Sequence, residues 1–158
     1  MSYRQNFSGD PVRDFLNSVR YTRIEYNRLS DRIKALETQC MSITATISAV
    51  PGGGNADAER LWAALADESA KLYPKLREIQ QCEREVEQFI AKLPDPAHRI
   101  VLKLRYLDGL SWEHVIGQMT RGGLYYSDRQ IYRIHGEALE VARRLWNEIH
   151  FKEGNDNE

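Results

Sequence analysis

From Phe15 onward the apolar positions recur at helical spacing, and the pattern predicts a succession of helices. The longest run is Phe15, Val19, Thr22, Tyr26, Leu29, Ile33, Leu36, Cys40, Ile43, Ile47 and Val50, which step alternately by four and three residues. Steps averaging about 3.5 residues hold one stripe against a partner helix, as in supercoiled pairs. Asp10-Pro11 marks the start. Aspartate accepts from the free first-turn N–H groups, and proline at the next position loses nothing by lacking one. Pro51-Gly52-Gly53-Gly54-Asn55 then breaks the pattern and predicts a loop over 51–56. A phosphate cradle is the competing reading of these glycines, but the Gly-Lys-Ser/Thr ending and a preceding strand are missing.

A second long helix is expected from Asp57 to Leu93, on the spacing of Leu61, Leu65, Leu72, Leu76, Ile79, Val86, Ile90 and Leu93. Pro74 removes a backbone hydrogen bond within it and predicts a kink near Ala70 to Pro74. Two such helices joined by a short loop imply an antiparallel coiled-coil hairpin some 50–60 Å long. In that geometry Cys40 lies level with Asp67, and Cys82 about 20 Å further on, beyond the ~7 Å reach of a disulfide. Both cysteines are therefore expected as core thiols. One hairpin buries a single stripe per helix, so two copies packed as a four-helix bundle are expected to be more stable. The residues assigned to this association are Val19, Tyr26, Leu29, Ile33, Leu36, Ile43, Leu72, Leu76 and Ile79, giving a homodimer or small homo-oligomer.

Asp95-Pro96 repeats the cap-and-proline device and opens a third helix with Ile100, Val101, Leu104 and Leu107 on its inner face, ended by Asp108-Gly109-Leu110. Ser111 caps a short helix from Trp112 to Met119, with Val115 and Ile116 inward, and Thr120 to Tyr126 is a turn. Ser127 and Gln130 form a capping box for the last helix. Ile131, Ile134, Ala138, Val141, Ala142 and Leu145 make its apolar stripe, leaving Asp128, Arg129, Tyr132, Arg133 and Gly136 opposite. A short helix, a turn and an amphipathic helix with arginines outward form a helix-turn-helix candidate. The expected division is a hairpin over 10–93, a DNA-binding domain over 94–150 and an acidic flexible tail over 151–158.

Charge neither supplies nor removes a nucleic-acid reading. Lys+Arg number 22 against 23 Asp+Glu, a net charge of -1 over 158 residues, so binding must come from a local patch. Hydrophobic residues make up 42% and charged ones 28%, a mixture that folds. No apolar run approaches the ~20 residues of a bilayer span, and Met1 to Asp10 lacks a signal-peptide core, so a cytoplasmic protein is expected. Membrane binding through an amphipathic face is disfavoured because the polar faces mix both signs. The four histidines and two cysteines have no paired metal-ligand spacing, so neither metal nor cofactor is expected.

The C-terminal residues carry a resemblance. Leu93-Pro94, Val101-Leu102-Lys103-Leu104-Arg105-Tyr106, Ser111-Trp112-Glu113-His114-Val115, and Ser127 followed by Ile131, Ile134 and Ala138-Leu139 resemble region 4 of sigma factors. With the hairpin and glycine-rich loop ahead of it, the whole is similar to the phage-encoded, sigma-like regulators of late transcription, the ArpU/RinA-like group. The resemblance implies double-stranded promoter DNA as ligand, host RNA polymerase as a partner, and a phage or prophage origin. It places base reading on Asp128, Arg129, Tyr132 and Arg133. Arginine can pair guanine O6 and N7 with two hydrogen bonds; the plainer reading is a solvated helix face. Arg99, Lys103, Arg121 and Ser127 are assigned to DNA phosphate, which fixes register without reading sequence. The turn over 120–126 is longer than the sigma pattern, which alters the docking angle.

Arg105 is open to packing or an internal ion pair, and His135 to a phosphate contact or to shielding the core. Tyr106, Trp112, Tyr125 and Tyr126 are expected to pack the small domain instead of stacking on single-stranded bases. The alternative function is a DNA-packaging protein like a phage small terminase subunit, which usually places its DNA-binding part first. An enzyme is disfavoured: no nucleophile with a base, no paired carboxylates on one face and no phosphate loop stand out.

Overall fold

The computed structural model describes residues 8–47, 56–123 and 125–155, and among them the fold is all-α. The helices are α1 (Pro11–Ile47), α2 (Ala56–Ala70), α3 (Leu72–Ala91), α4 (Pro96–Leu102), α5 (Trp112–Arg121) and α6 (Asp128–Asn155), with a π turn at Lys103–Leu107 continuing α4. The loop expected over 51–56 lies outside the described residues except for Ala56, which is already helical. No described helix is long and apolar enough to cross a membrane.

The helix starts follow the sequence devices. Asp10 Oδ1 accepts from the N–H groups of Val12 (3.2 Å) and Arg13 (3.4 Å). Asp95 Oδ1 accepts from Ala97 (2.7 Å) and His98 (3.4 Å), with Pro96 at the first helical position. Where a kink was expected near Ala70 to Pro74, the helix is interrupted: α2 ends at Ala70, Lys71 turns, and α3 begins at Leu72. Pro74 thereby falls in a first turn, where its missing N–H leaves no bond unmade.

Packing divides the chain into two compact units, and the division falls inside α1 and inside α3. One unit comprises the residues up to Arg20 and from Cys82 onward; the other is 21–81. A boundary at 93/94, where the sequence pattern changes, is therefore not where packing separates the chain. Both cysteines are buried free thiols, one in each unit.

In the first unit, Val12, Leu16 and Val19 of α1 and Val86, Phe89 and Ile90 of α3 join Val101 and Leu102, Val115 and Met119, and Ile131, Ile134, Ala138, Leu139 and Ala142 in one buried cluster. Phe15, Phe89 and Trp146 meet at centroid distances of 4.8–5.8 Å. Asp10 Oδ2 accepts from Arg143 Nη2 (2.7 Å) and Nε (3.0 Å), so one carboxylate both caps α1 and holds α6. Burial works to raise the pKa of Asp10, but the hydrogen bonds from Arg143 and from the backbone of Arg13 outweigh it and hold it below the usual value.

The expected inner face of this third helix is corrected both within α4 and at the π turn. Ile100 is exposed, whereas Leu102 and Tyr106 are buried. The Asp108 N–H reaches back five residues to Lys103 O (3.0 Å). That wider turn carries Tyr106 inward beneath Val101, where an α-helix would place Arg105. Gly109, at φ 68°, takes the left-handed conformation that ends the helix and lets the Leu110 N–H return to Leu104 O (3.0 Å).

In the 21–81 unit, Glu25 pairs with Lys75 (2.8 Å) and Arg32 with Glu68 (3.5 Å). The partners run in opposite sequence order, so these stretches of α1 and of α2–α3 are antiparallel. The predicted seam is the inner stripe: Thr22, Ile33 and Cys40 are buried, and Tyr26, Leu29, Leu36 and Ile43 half-buried. At the other end of the chain, α6 continues through Asn155, so 151–155 are helical where a flexible tail was expected. No proline intervenes, and helix-compatible Phe151, Lys152 and Glu153 carry the turn onward.

Candidate nucleic-acid interface

The reading-helix candidate is positioned by its start and by its stripe. The Ser127 N–H donates to Gln130 Oε1 (2.8 Å) and the Gln130 N–H to Ser127 Oγ (3.4 Å), the expected reciprocal box. Just before it, Tyr126 packs against the buried cluster. Tyr125, one residue earlier, is 89% exposed, which corrects its assignment as a packing residue. Ile131, Ile134 and Ala138 are buried, so α6 presents Asp128, Arg129, Tyr132, Arg133 and Gly136 outward together.

These exposed residues differ in freedom. Asp128 and Arg129 make no side-chain hydrogen bond or ion pair with another described residue. Arg133 Nε lies 3.5 Å from Glu137 Oε1 one turn later, an exposed pair that water screens. Tyr132 leans on Trp112 at 4.8 Å between ring centroids. Trp112 in turn meets His135 edge-on at 4.8 Å and lies under the Arg105 guanidinium at 5.1 Å. Arg105 Nη1 also donates to Leu110 O (2.7 Å), so it serves the packing reading. Sequence reasoning missed this stack; the signal was Trp112 following a cap and Tyr132 and His135 standing three residues apart.

His135 is half-buried and turned to the packed side. Its Nε2 lies 3.2 Å from the Tyr106 hydroxyl, and the two rings stack at 5.9 Å. Burial, with the charges of Arg13 and Arg105, pushes its pKa down to about 4, and burial raises that of Tyr106. A neutral imidazole there cannot neutralise phosphate at ordinary pH, so the core-shielding reading stands.

Part of the phosphate set is engaged elsewhere. Arg99 Nη1 donates to Leu93 O (2.6 Å) and Pro94 O (2.8 Å), binding the open carbonyls after α3. Ser127 is taken by its box, and Lys103 meets Glu87 at 3.3 Å in a partly exposed pair that water screens. Arg121, in the last turn of α5, is exposed with no such engagement among the described residues; Gly123, at φ 82°, turns the chain just beyond it. Among the association residues, Val19, Ile33 and Ile79 are closed inside their own chain, while Leu76 is exposed.

Among the described residues no group of three or more His, Cys, Asp or Glu could hold a metal ion. The chain matches no protein-family model, and neither the curated proteins nor the solved structures contain a significant match to it.

Proposed function

We propose that this chain is a sequence-specific DNA-binding regulator of transcription. In this reading α5, the turn after it and α6 act as a helix-turn-helix on double-stranded promoter DNA, carried by a hairpin of α1 against α2 and α3 that self-associates. The observation that carries the proposal is the outward grouping of Asp128, Arg129, Tyr132 and Arg133 in the first two turns of α6, opposite buried Ile131, Ile134 and Ala138. Those turns are the part of a recognition helix that reaches base edges. Arg129 is unengaged and Arg133 held only by a screened pair, so both arginines are available to guanine edges. Arg121 and Lys103 are left as phosphate contacts. Gly136 adds support: nothing lies within 4 Å of where its Cβ would be, so internal packing gives no reason for glycine, whereas close approach of a ligand backbone does. RNA polymerase is a candidate partner on the sigma-region-4 resemblance, and the bacterial cytoplasm the expected setting.

The test is capture of genomic fragments by the purified chain, followed by titration of the enriched fragment in rising salt. One enriched site upstream of a gene block, bound with an affinity that falls steeply with salt through counterion release, is expected. No enrichment, or a flat salt dependence, would remove direct DNA binding.

A further inference from the structure

The 21–81 unit has two unlike flanks. Its inner stripe faces across the helix pair, and on one side the gap is closed by two charged clusters, Glu25–Lys75–Glu78 and Arg32–Glu68–Lys71. By helical spacing from the buried Ile33 and Ile79, Met41 and Leu76 fall on the other side, and Trp62 and Tyr73 with them. Their exposures are 71% for Met41, 50% for Trp62, 66% for Tyr73 and 38% for Leu76. Four large apolar side chains along one flank are not scattered surface residues.

We infer that this flank is the face on which a second copy of the chain packs, to complete a four-helix bundle. This rests on the self-association in the proposed function and is independent of DNA binding; it replaces the heptad seam as the contact surface, since Ile33 and Ile79 are already buried within the chain. Three observations favour a second copy as occupant. First, α2 has no buried residue, so its apolar side chains are left open by the described chain, and a second copy is the one partner always at hand. Second, the flank carries charges of both signs, Arg23 and Lys34 with Glu37 and Glu59, and can meet itself without a field of single sign. Third, the helix pair offers a face of roughly 40 by 20 Å, on the order of the ~800 Å² that each partner gives a stable dimer.

The test is the solution mass of the full chain without DNA, by sedimentation velocity, for the wild type and for Met41→Glu, Trp62→Glu and the control Ile24→Glu. Ile24 is exposed and, nine residues before buried Ile33, points half a turn away from it by helical spacing. The wild type and the control are expected at twice 18.3 kDa, with both flank variants shifted to monomer at unchanged helical content. If a glutamate variant loses helix, Trp62→Ala replaces it, with dimer affinity expected to fall at least tenfold. A dimer unaffected by any flank variant overturns the assignment of this face but leaves self-association standing. A wild-type monomer overturns both, and an assembly larger than a dimer counts against a face that closes on itself.

Discussion

The unit containing α4 to α6 holds a continuous buried cluster drawn from five helices and the π turn, whereas among the described residues of the 21–81 unit only Thr22, Ile33, Cys40 and Ile79 are buried. α1 and α3 contribute to both, so helix propensity is not the difference. Elements that cross and enclose one another exclude water from every side of a residue. A side-by-side helix pair excludes it from one stripe each, and opens more readily unless something covers it. The first unit can thus present a rigid surface, and the second is suited to association.

The largest expected effect follows from that contrast. Leu102→Ala and Ile131→Ala, at 0% exposure, are expected to destabilise by ~2–5 kcal/mol in denaturant unfolding, and half-buried Leu36→Ala by less than about 2 kcal/mol. Equal losses in the two units would break the comparison. Next is Asp10→Ala, which removes a cap and the Arg143 contact and is expected to lose about 1–2 kcal/mol. Hydrogen exchange is expected to speed in α6 as well as at the start of α1; an effect confined to α1 would mean the Arg143 contact holds nothing.

The pH response sharpens the contrast further. His135 is depressed to about 4 from 6.5 in the fold, so below pH 6.5 the unfolded chain takes up a proton that the folded chain refuses. Stability is therefore expected to fall from pH 6.5 towards 4, with exchange rising first in the unit of α4 to α6. His135→Gln is expected to flatten that slope, and an unchanged slope would contradict the half-buried neutral imidazole. The smallest effect belongs to Gly136→Ala: about 0.4–1 kcal/mol of added stability, since the helix accepts a Cβ there, together with weaker DNA binding. Unchanged binding would remove the close-approach argument.

The helix starts were readable in the sequence because each is a local device. Asp10-Pro11, Asp95-Pro96 and Ser127 with Gln130 satisfy nearby N–H groups and need no distant partner. The inner stripes of α1 and α6 were readable because burial imposes a period. The π turn at Lys103–Leu107 was not, since inserting a residue into a turn depends on what Tyr106 packs against, and it is Tyr106 that the turn brings into the core. Arg99 and Lys103 look like surface cations until the carbonyls of Leu93 and Pro94 and the carboxylate of Glu87 are brought beside them. Those are tertiary facts with no sequence period. The outward grouping on α6 was readable; its anchoring through Tyr132, Trp112 and Arg105 was not.

Whether the first turns of α6 read DNA bases is tested most directly by titrating wild type, Arg129→Ala, Arg133→Ala and Lys103→Ala against the captured site and its single-base variants. Each α6 arginine variant is expected to lose roughly 1–3 kcal/mol at the intact site and to lose preference at one base pair, with thermal stability within about 0.5 kcal/mol of wild type. Lys103→Ala is expected to weaken all sequences about equally and to leave base preference unchanged, because its partly exposed pair with Glu87 is screened as that of Arg133 is. Wild-type affinity and wild-type base preference in both arginine variants would contradict the account.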